Sequence, residues 1–426
     1  MIHILLIGSG GREHAFAQAL AKSSNCKQLY IMPGNAGTSQ HGINVSIDVN
    51  QFHLVGQFCL DNQISLLVVG PEDPLVKGLR DFFMADPKLA GIAFVGPDKA
   101  GAQMEGSKDW SKKFMQKYGI PTAAYQTFTQ NTLEEGLAYL ENHSLPIVLK
   151  ADGLAAGKGV LICHSVEEAQ AELREMIAAQ KFGSASEKVV VEEFLQGIEL
   201  SVFVLCDGKN YVLLPSAKDY KRIGEGDTGL NTGGMGAISP VPFANAEFLQ
   251  KVENQIVSKT LAGLQAEGIH YVGFIFVGLM NVNGEPKVIE YNSRMGDPET
   301  EVVLPRIQND MVELMMAAGT GKLNEVKIEI DERTAVTVML VSKGYPEVFE
   351  RGKVMSGMDS VVGSTLFHAG TKLSEAGELL SNGGRVMAIT SLGSNIQEAL
   401  NLSLQNAERI SYENKYYRKD IGFEFL

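Results

Sequence analysis

Lys150-Ala151-Asp152-Gly153-Leu154-Ala155-Ala156-Gly157-Lys158-Gly159 joins two apolar runs, Ile147–Lys150 and Gly159–Ile162. The stretch imitates a phosphate-binding P-loop. However, it has one residue too few between its outer glycines, and Gly159 stands where a Ser or Thr would hold magnesium. Its context differs too, because an apolar strand lies on either side of it. It is therefore read as the tip of a hairpin-like unit placed to fold over the oxygens of a triphosphate. With Val189–Val191 as a further strand and a helix over roughly 166–179, it belongs to a small α+β module.

Toward the N-terminus the pattern changes. His3–Ile7, Gln28–Ile31, Ser65–Val69 and Ile92–Val95 are short apolar runs separated by stretches long enough for crossover helices, which predicts a doubly wound parallel sheet. Ligands bind such sheets at the carboxyl ends of the strands, where Gly8-Ser9-Gly10-Gly11, Pro33-Gly34-Asn35-Ala36-Gly37 and Gly70-Pro71-Glu72 fall. The first of these loops opens a helix, so its amides are candidates for holding a phosphate. It is not a dinucleotide fingerprint: Glu13 takes the third glycine position, and the second strand ends at Met32-Pro33-Gly34 without a ribose-binding acid. A helix over about 107–118 closes at Gly119-Ile120-Pro121, a stop signal and a plausible hinge.

Toward the C-terminus, Ser201–Leu205, Tyr211–Leu214, Val272–Met280 and Lys287–Tyr291 predict a larger antiparallel sheet, with helices near 246–266 and 310–318. Between them Gly224–Gly236 carries six glycines in thirteen residues behind Lys218-Asp219-Tyr220-Lys221-Arg222, a composition that lets amides approach an anion closely. Period-two alternation puts Glu290 and Asn292 on one strand face, with Arg294 continuing it, and such an oxygen pair suits Mg²⁺. Ala335–Val341, Arg385–Ile389 and a helix near 396–410 read as a separate α/β cap.

Composition narrows the classes. The 426 residues suggest two to four domains, and 45 glycines are roughly half again the average share. With 37 basic against 50 acidic residues the net charge of −13 opposes a broad footprint on nucleic acid or anionic lipid, so anion binding must be local. Cys26, Cys59, Cys163 and Cys206 show neither Cys-x-x-Cys nor zinc spacing, and no apolar run approaches the roughly 18 residues of a membrane span. A reducing, cytoplasmic setting is expected. So are small-molecule partners, with neither nucleic acid nor membrane.

These motifs together resemble the phosphoribosylamine–glycine ligase family, the glycinamide ribonucleotide synthetases of purine biosynthesis. The resemblance runs end to end, through Gly10–His14, Pro33–Thr38, Gly70–Glu72, Pro74–Gly78, Glu105–Lys108, Lys150–Gly159, Asn231–Gly236, Gly296–Glu299, His368–Thr371 and Asn382–Val386. It implies an ATP-grasp fold in three parts: an N-terminal α/β domain over 1–103, an ATP-grasp domain over 104–323 with a mobile lid at about 121–190, and a C-terminal domain over 324–426. It also implies ligation of glycine to 5-phosphoribosylamine through glycyl phosphate, with ATP and Mg²⁺ or Mn²⁺ as cofactors, in a monomer or weak homo-oligomer.

By the same resemblance, Lys108 and Lys150 face the nucleotide phosphates, Gly153, Gly157, Lys158 and Gly159 cover them, Glu192, Glu193, Phe194 and Leu195 form the adenine hinge, and Glu199 binds ribose. Glu290 and Asn292 are implied metal ligands, and Arg294 lies near the acyl group. Gly10, Gly11, Arg12, Asn35, Gly233, Gly234 and Asp297 are implied to face the substrates. The sequence departs from the family pattern where Gln and His would flank Asp219: Lys218 and Tyr220 stand there. Asp219, with Lys221, is then the candidate for proton transfer. No carboxylate occurs in Phe276-Val277-Gly278-Leu279, and Ser293 and Met295 replace the usual Cys and Phe. Another ATP-grasp ligase acting on a different carboxylate, a dinucleotide-dependent oxidoreductase and a non-catalytic nucleotide-binding regulator are the competing readings.

Overall fold

The computed structural model describes residues 1–154 and 159–426. Gly157 and Lys158 therefore lie outside the described residues. The first hundred residues build the expected parallel sheet, in the order Ile43–Asn44, Cys26–Pro33, Ile2–Gly8, Ile64–Val69, Ala93–Val95. Both faces are covered, which is why its strands are apolar throughout rather than alternating. Ile4 and Leu6 pack with Phe16 on one face, and Leu5 and Ile7 pack with Val55 and Phe83 on the other.

Two antiparallel sheets follow. The lid sheet has the order Tyr125–Thr129, Lys188–Glu193, Ile147–Ala151, Val160–Cys163, and its core takes Leu137 and Leu173 from two covering helices. Tyr125–Thr129 is an added edge strand; with Phe128 as its one fully buried side chain, it carries too little apolar signal to be seen in sequence. The larger sheet runs Tyr211–Leu213, Ile198–Asp207, Val272–Val282, Glu285–Asn292. The helix expected over 246–266 is present, but a π segment at Glu253–Val257 interrupts it.

The C-terminal sheet corrects the picture of a separate cap. Its order is Lys218–Asp219, Gly236–Ser239, Thr334–Val341, Arg385–Gly393, Ser364–His368, so two of its five strands come from the centre of the chain. Those two strands are short and carry charge or glycine, which hides them from a periodicity argument. Their pairing joins the strands Thr334–Val341, Arg385–Gly393 and Ser364–His368 to the centre of the chain. The four cysteines are free, and among the described residues no helix is long and apolar enough to cross a membrane.

Candidate active site

A cavity of about 410 Å³ opens where the N-terminal sheet, the lid, the larger central sheet and the C-terminal sheet meet. Its walls contain Arg12, Lys108, Lys150, Gly159, Glu192, Asp219, Lys221, Gly233, Glu290, Asn292, Arg294 and Asp297, all singled out in the sequence. They are drawn from positions up to 285 residues apart, so the fold supplies the coincidence.

On the lid side the cations are held by one acid. Glu192 Oε2 lies 3.0 Å from both Lys112 Nζ and Lys150 Nζ, and all three side chains are buried. Lys150 also donates to the carbonyl of Ile289 at 3.1 Å, and Lys112 donates to Thr122 Oγ1 at 2.8 Å. Burial pushes the Lys112 ammonium down to about 8 although Glu192 opposes the shift. Lys108 donates to the carbonyl of Gly153 at 3.3 Å and has no carboxylate within ion-pair distance among the described residues. Its pKa is lowered by burial, against the pull of Glu290.

Glu290 and Asn292 project into the cavity while Tyr291 between them packs into the opposite core, its hydroxyl 2.6 Å from Thr260 Oγ1. A bulge at Ile289 sets this phase: Gly278 pairs with Glu290, and Leu279 pairs with Val288. Among the described residues neither Glu290 nor Asn292 spends its side-chain oxygen on a protein partner. A carboxylate and an amide oxygen, uncommitted and on one face, are the donors that Mg²⁺ accepts alongside phosphate and water. No cluster of three or more His, Cys, Asp or Glu side chains among the described residues is arranged to hold a metal unaided, consistent with a metal that relies on phosphate oxygens.

Across the cavity, Lys221 bridges Asp219 at 2.8 Å and Glu199 at 2.7 Å. Arg294 is clamped between Glu105 at 2.7 Å and Glu72 at 3.3 Å, and Ser293 donates to Glu105 through both its amide and its hydroxyl. Arg385 pairs with Asp297 at 2.9 Å and donates to the carbonyls of Asp297 and Gly233. Burial, reinforced by Asp219, pushes the Glu299 carboxyl up to about 7, so it holds or gives up its proton near neutrality.

Profiles of one family match the chain in succession: the phosphoribosylglycinamide synthetase N domain over residues 2–105, its ATP-grasp (A) domain over 106–300 and its C domain over 335–424. The chain belongs to the phosphoribosylglycinamide synthetase family. Membership makes it an ATP-grasp ligase. A phosphoribosylamine–glycine ligase of Yersinia pestis is 44% identical over 430 residues, covering 100% of this chain and 99% of that one. The crystal structure of phosphoribosylamine–glycine ligase from Thermotoga maritima superposes with a TM-score of 0.84 at 36% identity, covering 99% of this chain and 100% of that one. At 16% identity, the biotin carboxylase domain of Hydrogenobacter thermophilus 2-oxoglutarate carboxylase, solved with MgADP and bicarbonate, shares the fold with a TM-score of 0.71 and covers 98% of this chain and 92% of that one.

In this chain several expected residues pack against the protein itself and do not line the cavity. Gly10 and Gly11 do not line the cavity, because the protein's own acids occupy the helix N-terminus. Glu13 Oε2 accepts from the Gly10 amide at 2.6 Å, Asp297 Oδ2 accepts from the Arg12 amide at 3.3 Å, and a side chain at Gly11 would meet Glu301. Asn35 is saturated: its amide donates to the carbonyls of Ser9 and His368, and its oxygen accepts from Gly37 and Thr38. Gly153 packs on the backbone of residue 185, where a Cβ would come within 3.0 Å. Gly234 lies at φ +117° against Pro298.

Glu193, Phe194 and Leu195 lie at the lid-sheet edge, outside the lining; Glu193 pairs with Lys287 at 3.3 Å, and Phe194 is exposed. Glu199 stands just behind the lining and holds Lys221. Of the central glycines, only Gly233 reaches the wall. Lys112, Glu72, Glu105, Glu299 and Arg385 line the cavity without having been assigned from sequence. Lys112 was within reach, since it lies one helical turn beyond Lys108 on the same face.

Proposed function

We propose that the chain joins the carboxyl group of glycine to the amine of 5-phosphoribosylamine, yielding glycinamide ribonucleotide, ADP and phosphate by way of glycyl phosphate. The observation that carries this reading is the convergence of these groups on one cavity. Its walls bring together the lysines around Glu192, Arg294, the Asp219–Lys221 pair and the uncommitted oxygens of Glu290 and Asn292.

A glycine carboxylate oxygen takes the γ-phosphoryl group as its bond to ADP breaks. The lone pair of the amine then attacks the glycyl carbon, phosphate departs with the C–O bonding electrons, and the nitrogen gives up a proton. Lys108 and Lys150 hold phosphate oxygens, with the segment around Gly153–Gly159 over them, and the edge formed by Glu192–Leu195 together with Glu199 receives the nucleoside. Arg294 steadies the acyl oxygens, and Asp219, oriented by Lys221, accepts the proton. Arg12, Gly233 and Asp297 face the phosphoribosylamine.

Glu290 and Asn292 would hold Mg²⁺ or Mn²⁺, which neutralises phosphate charge during transfer. Closing of the 121–190 lid keeps water from the acyl phosphate. The enzyme acts in the cytoplasm as a monomer or weak homo-oligomer. Purified protein supplied with ATP, Mg²⁺, glycine and freshly generated phosphoribosylamine should release ADP only when glycine and the amine are both present. ADP release that needs only one of them overturns the reading.

A further inference from the structure

The extended segment Lys218–Lys221, which begins in the strand Lys218–Asp219, has a second face. Successive side chains alternate across a strand, so Lys218 and Tyr220 point away from the cavity. They meet the C-terminal end of the chain. Glu424 accepts from Lys218 Nζ at 2.8 Å through one oxygen and from the Tyr220 hydroxyl at 2.8 Å through the other. The Lys218 ammonium also lies 4.1 Å from the centre of the Tyr220 ring. A left-handed turn at Gly422, φ +88°, brings Glu424 back to this position.

The same tail grips the hairpin that follows the strand. Arg418, with no exposed surface, makes a bidentate pair with Asp420 at 2.8 Å through both contacts. It also donates to Asp227 Oδ1 at 2.7 Å and to the carbonyl of Arg222 at 3.1 Å. Asp420 in turn accepts from the Gly226 amide at 2.7 Å, and the Tyr416 hydroxyl donates to the carbonyl of Ile223 at 3.0 Å. The glycine-rich hairpin thus owes its position to the tail. A buried guanidinium joining two carboxylates and a carbonyl fixes geometry more tightly than a single surface pair can.

We propose that the segment 416–425 is a clasp that holds Asp219 and Lys221 in register with the cavity, with Arg418 its central positioning residue. The inference rests on the proposed ligase reading for what the pair does, but not for its geometry. The clasp ties the last residues of the chain to the reacting groups, so loosening it lowers turnover through Asp219 and Lys221.

The test uses Tyr220→Phe and Glu424→Gln in the full chain, singly and together, because Arg418→Met removes the buried guanidinium that joins Asp227 and Asp420 and risks misfolding. Each single variant should lower kcat about tenfold, measured at saturating ATP, the scale expected from a small misplacement of catalytic groups. The double variant should fall no further. Hydrogen exchange should quicken at Thr232 and Met235, whose amides bond to the carbonyls of Lys221 and Tyr220. Arg418→Lys should lie between wild type and Arg418→Met in both readouts. Wild-type turnover in the two single variants overturns the clasp, as does a loss of exchange protection spread over the whole protein. If the wild-type protein makes no glycinamide ribonucleotide, the ligase reading falls, and unchanged exchange at Thr232 and Met235 would still overturn the clasp.

Discussion

Replacing Glu301 by Gln is expected to stabilise the protein increasingly as pH rises. Glu301 has no exposed surface, and neither of its oxygens has a hydrogen-bond partner among the described residues. Burial holds its carboxyl well above the ordinary 4.5, and Asp297 reinforces that while Arg385 opposes it. The fold therefore keeps a proton that the unfolded chain releases. The stability tied to that proton is complete below 4.5 and drains away as pH climbs toward the folded value, at about 1.4 kcal/mol per pH unit.

Glutamine carries no charge in either state and lacks this slope. The cost of its buried amide, about 1–3 kcal/mol if unpaired, does not vary with pH. Glu299 is present in both proteins, and its charge helps to hold the Glu301 proton. Urea unfolding of wild type and Glu301→Gln in parallel at pH 5, 6 and 7 measures the difference in stability between them. It should shift in favour of the variant as pH rises, by at most about 1.4 kcal/mol per pH unit. A difference that stays constant across the three pH values refutes the neutral acid.

Glu290→Ala should cut turnover by orders of magnitude and weaken the dependence on Mg²⁺, followed as ADP release across a magnesium titration; unchanged dependence would remove the metal assignment. Glu192→Gln takes the shared carboxylate from Lys112 and Lys150 and should cost roughly 3–5 kcal/mol, seen in denaturant unfolding, together with a higher KM for ATP. A variant as stable as wild type would mean that the two ammoniums do not depend on it. Gly37→Ala places a methyl 2.4 Å from His14 and 2.6 Å from His368 at the seam between the N- and C-terminal sheets, and should cost about 1–3 kcal/mol by the same measurement. Unaltered stability would show that the seam yields freely.

The fold was legible where burial imposes a pattern. Ile4–Ile7 and Leu66–Val68 lie inside a sheet covered on both faces, so apolar runs and glycine breaks were enough to place them. The strands of the larger sheet were visible for the same reason. Tyr125–Thr129 and Lys218–Asp219 were not, because their strand character comes from hydrogen bonds to neighbours rather than from their own side chains. In the site, Glu290 and Asn292 were singled out by strand alternation, whereas Lys108 and Lys150 were assigned through the family resemblance.

The glycines carry an ambiguity that sequence does not resolve. A strand–helix turn rich in glycine looks the same whether the space is kept for a phosphate or for a protein carboxylate. At Gly8 and Gly70 the side chain of Glu13 fills that space. Arg385 and Arg418 were invisible for a different reason: their partners, Asp297 and Asp227, lie 88 and 191 residues away.

The pairing of charges inside the cavity explains how an acidic chain can hold a polyphosphate. Arg12, Lys112, Lys150, Lys221, Arg294 and Arg385 each have a carboxylate between 2.6 and 3.0 Å away. These cations are fixed in place before any ligand arrives, so little is lost in ordering them, but little net positive charge is left over. A nucleotide entering such a cavity must bring countercharge with it or be repelled by the acids that hold the lysines. Lys108 contributes the exception on the protein side, and Glu290 with Asn292 offers the place where a divalent cation can enter together with the phosphates. On this argument the Glu290 variant should fail for lack of charge rather than of shape. The same balance accounts for anion chemistry in a protein of net charge −13, whose surface carries no basic footprint.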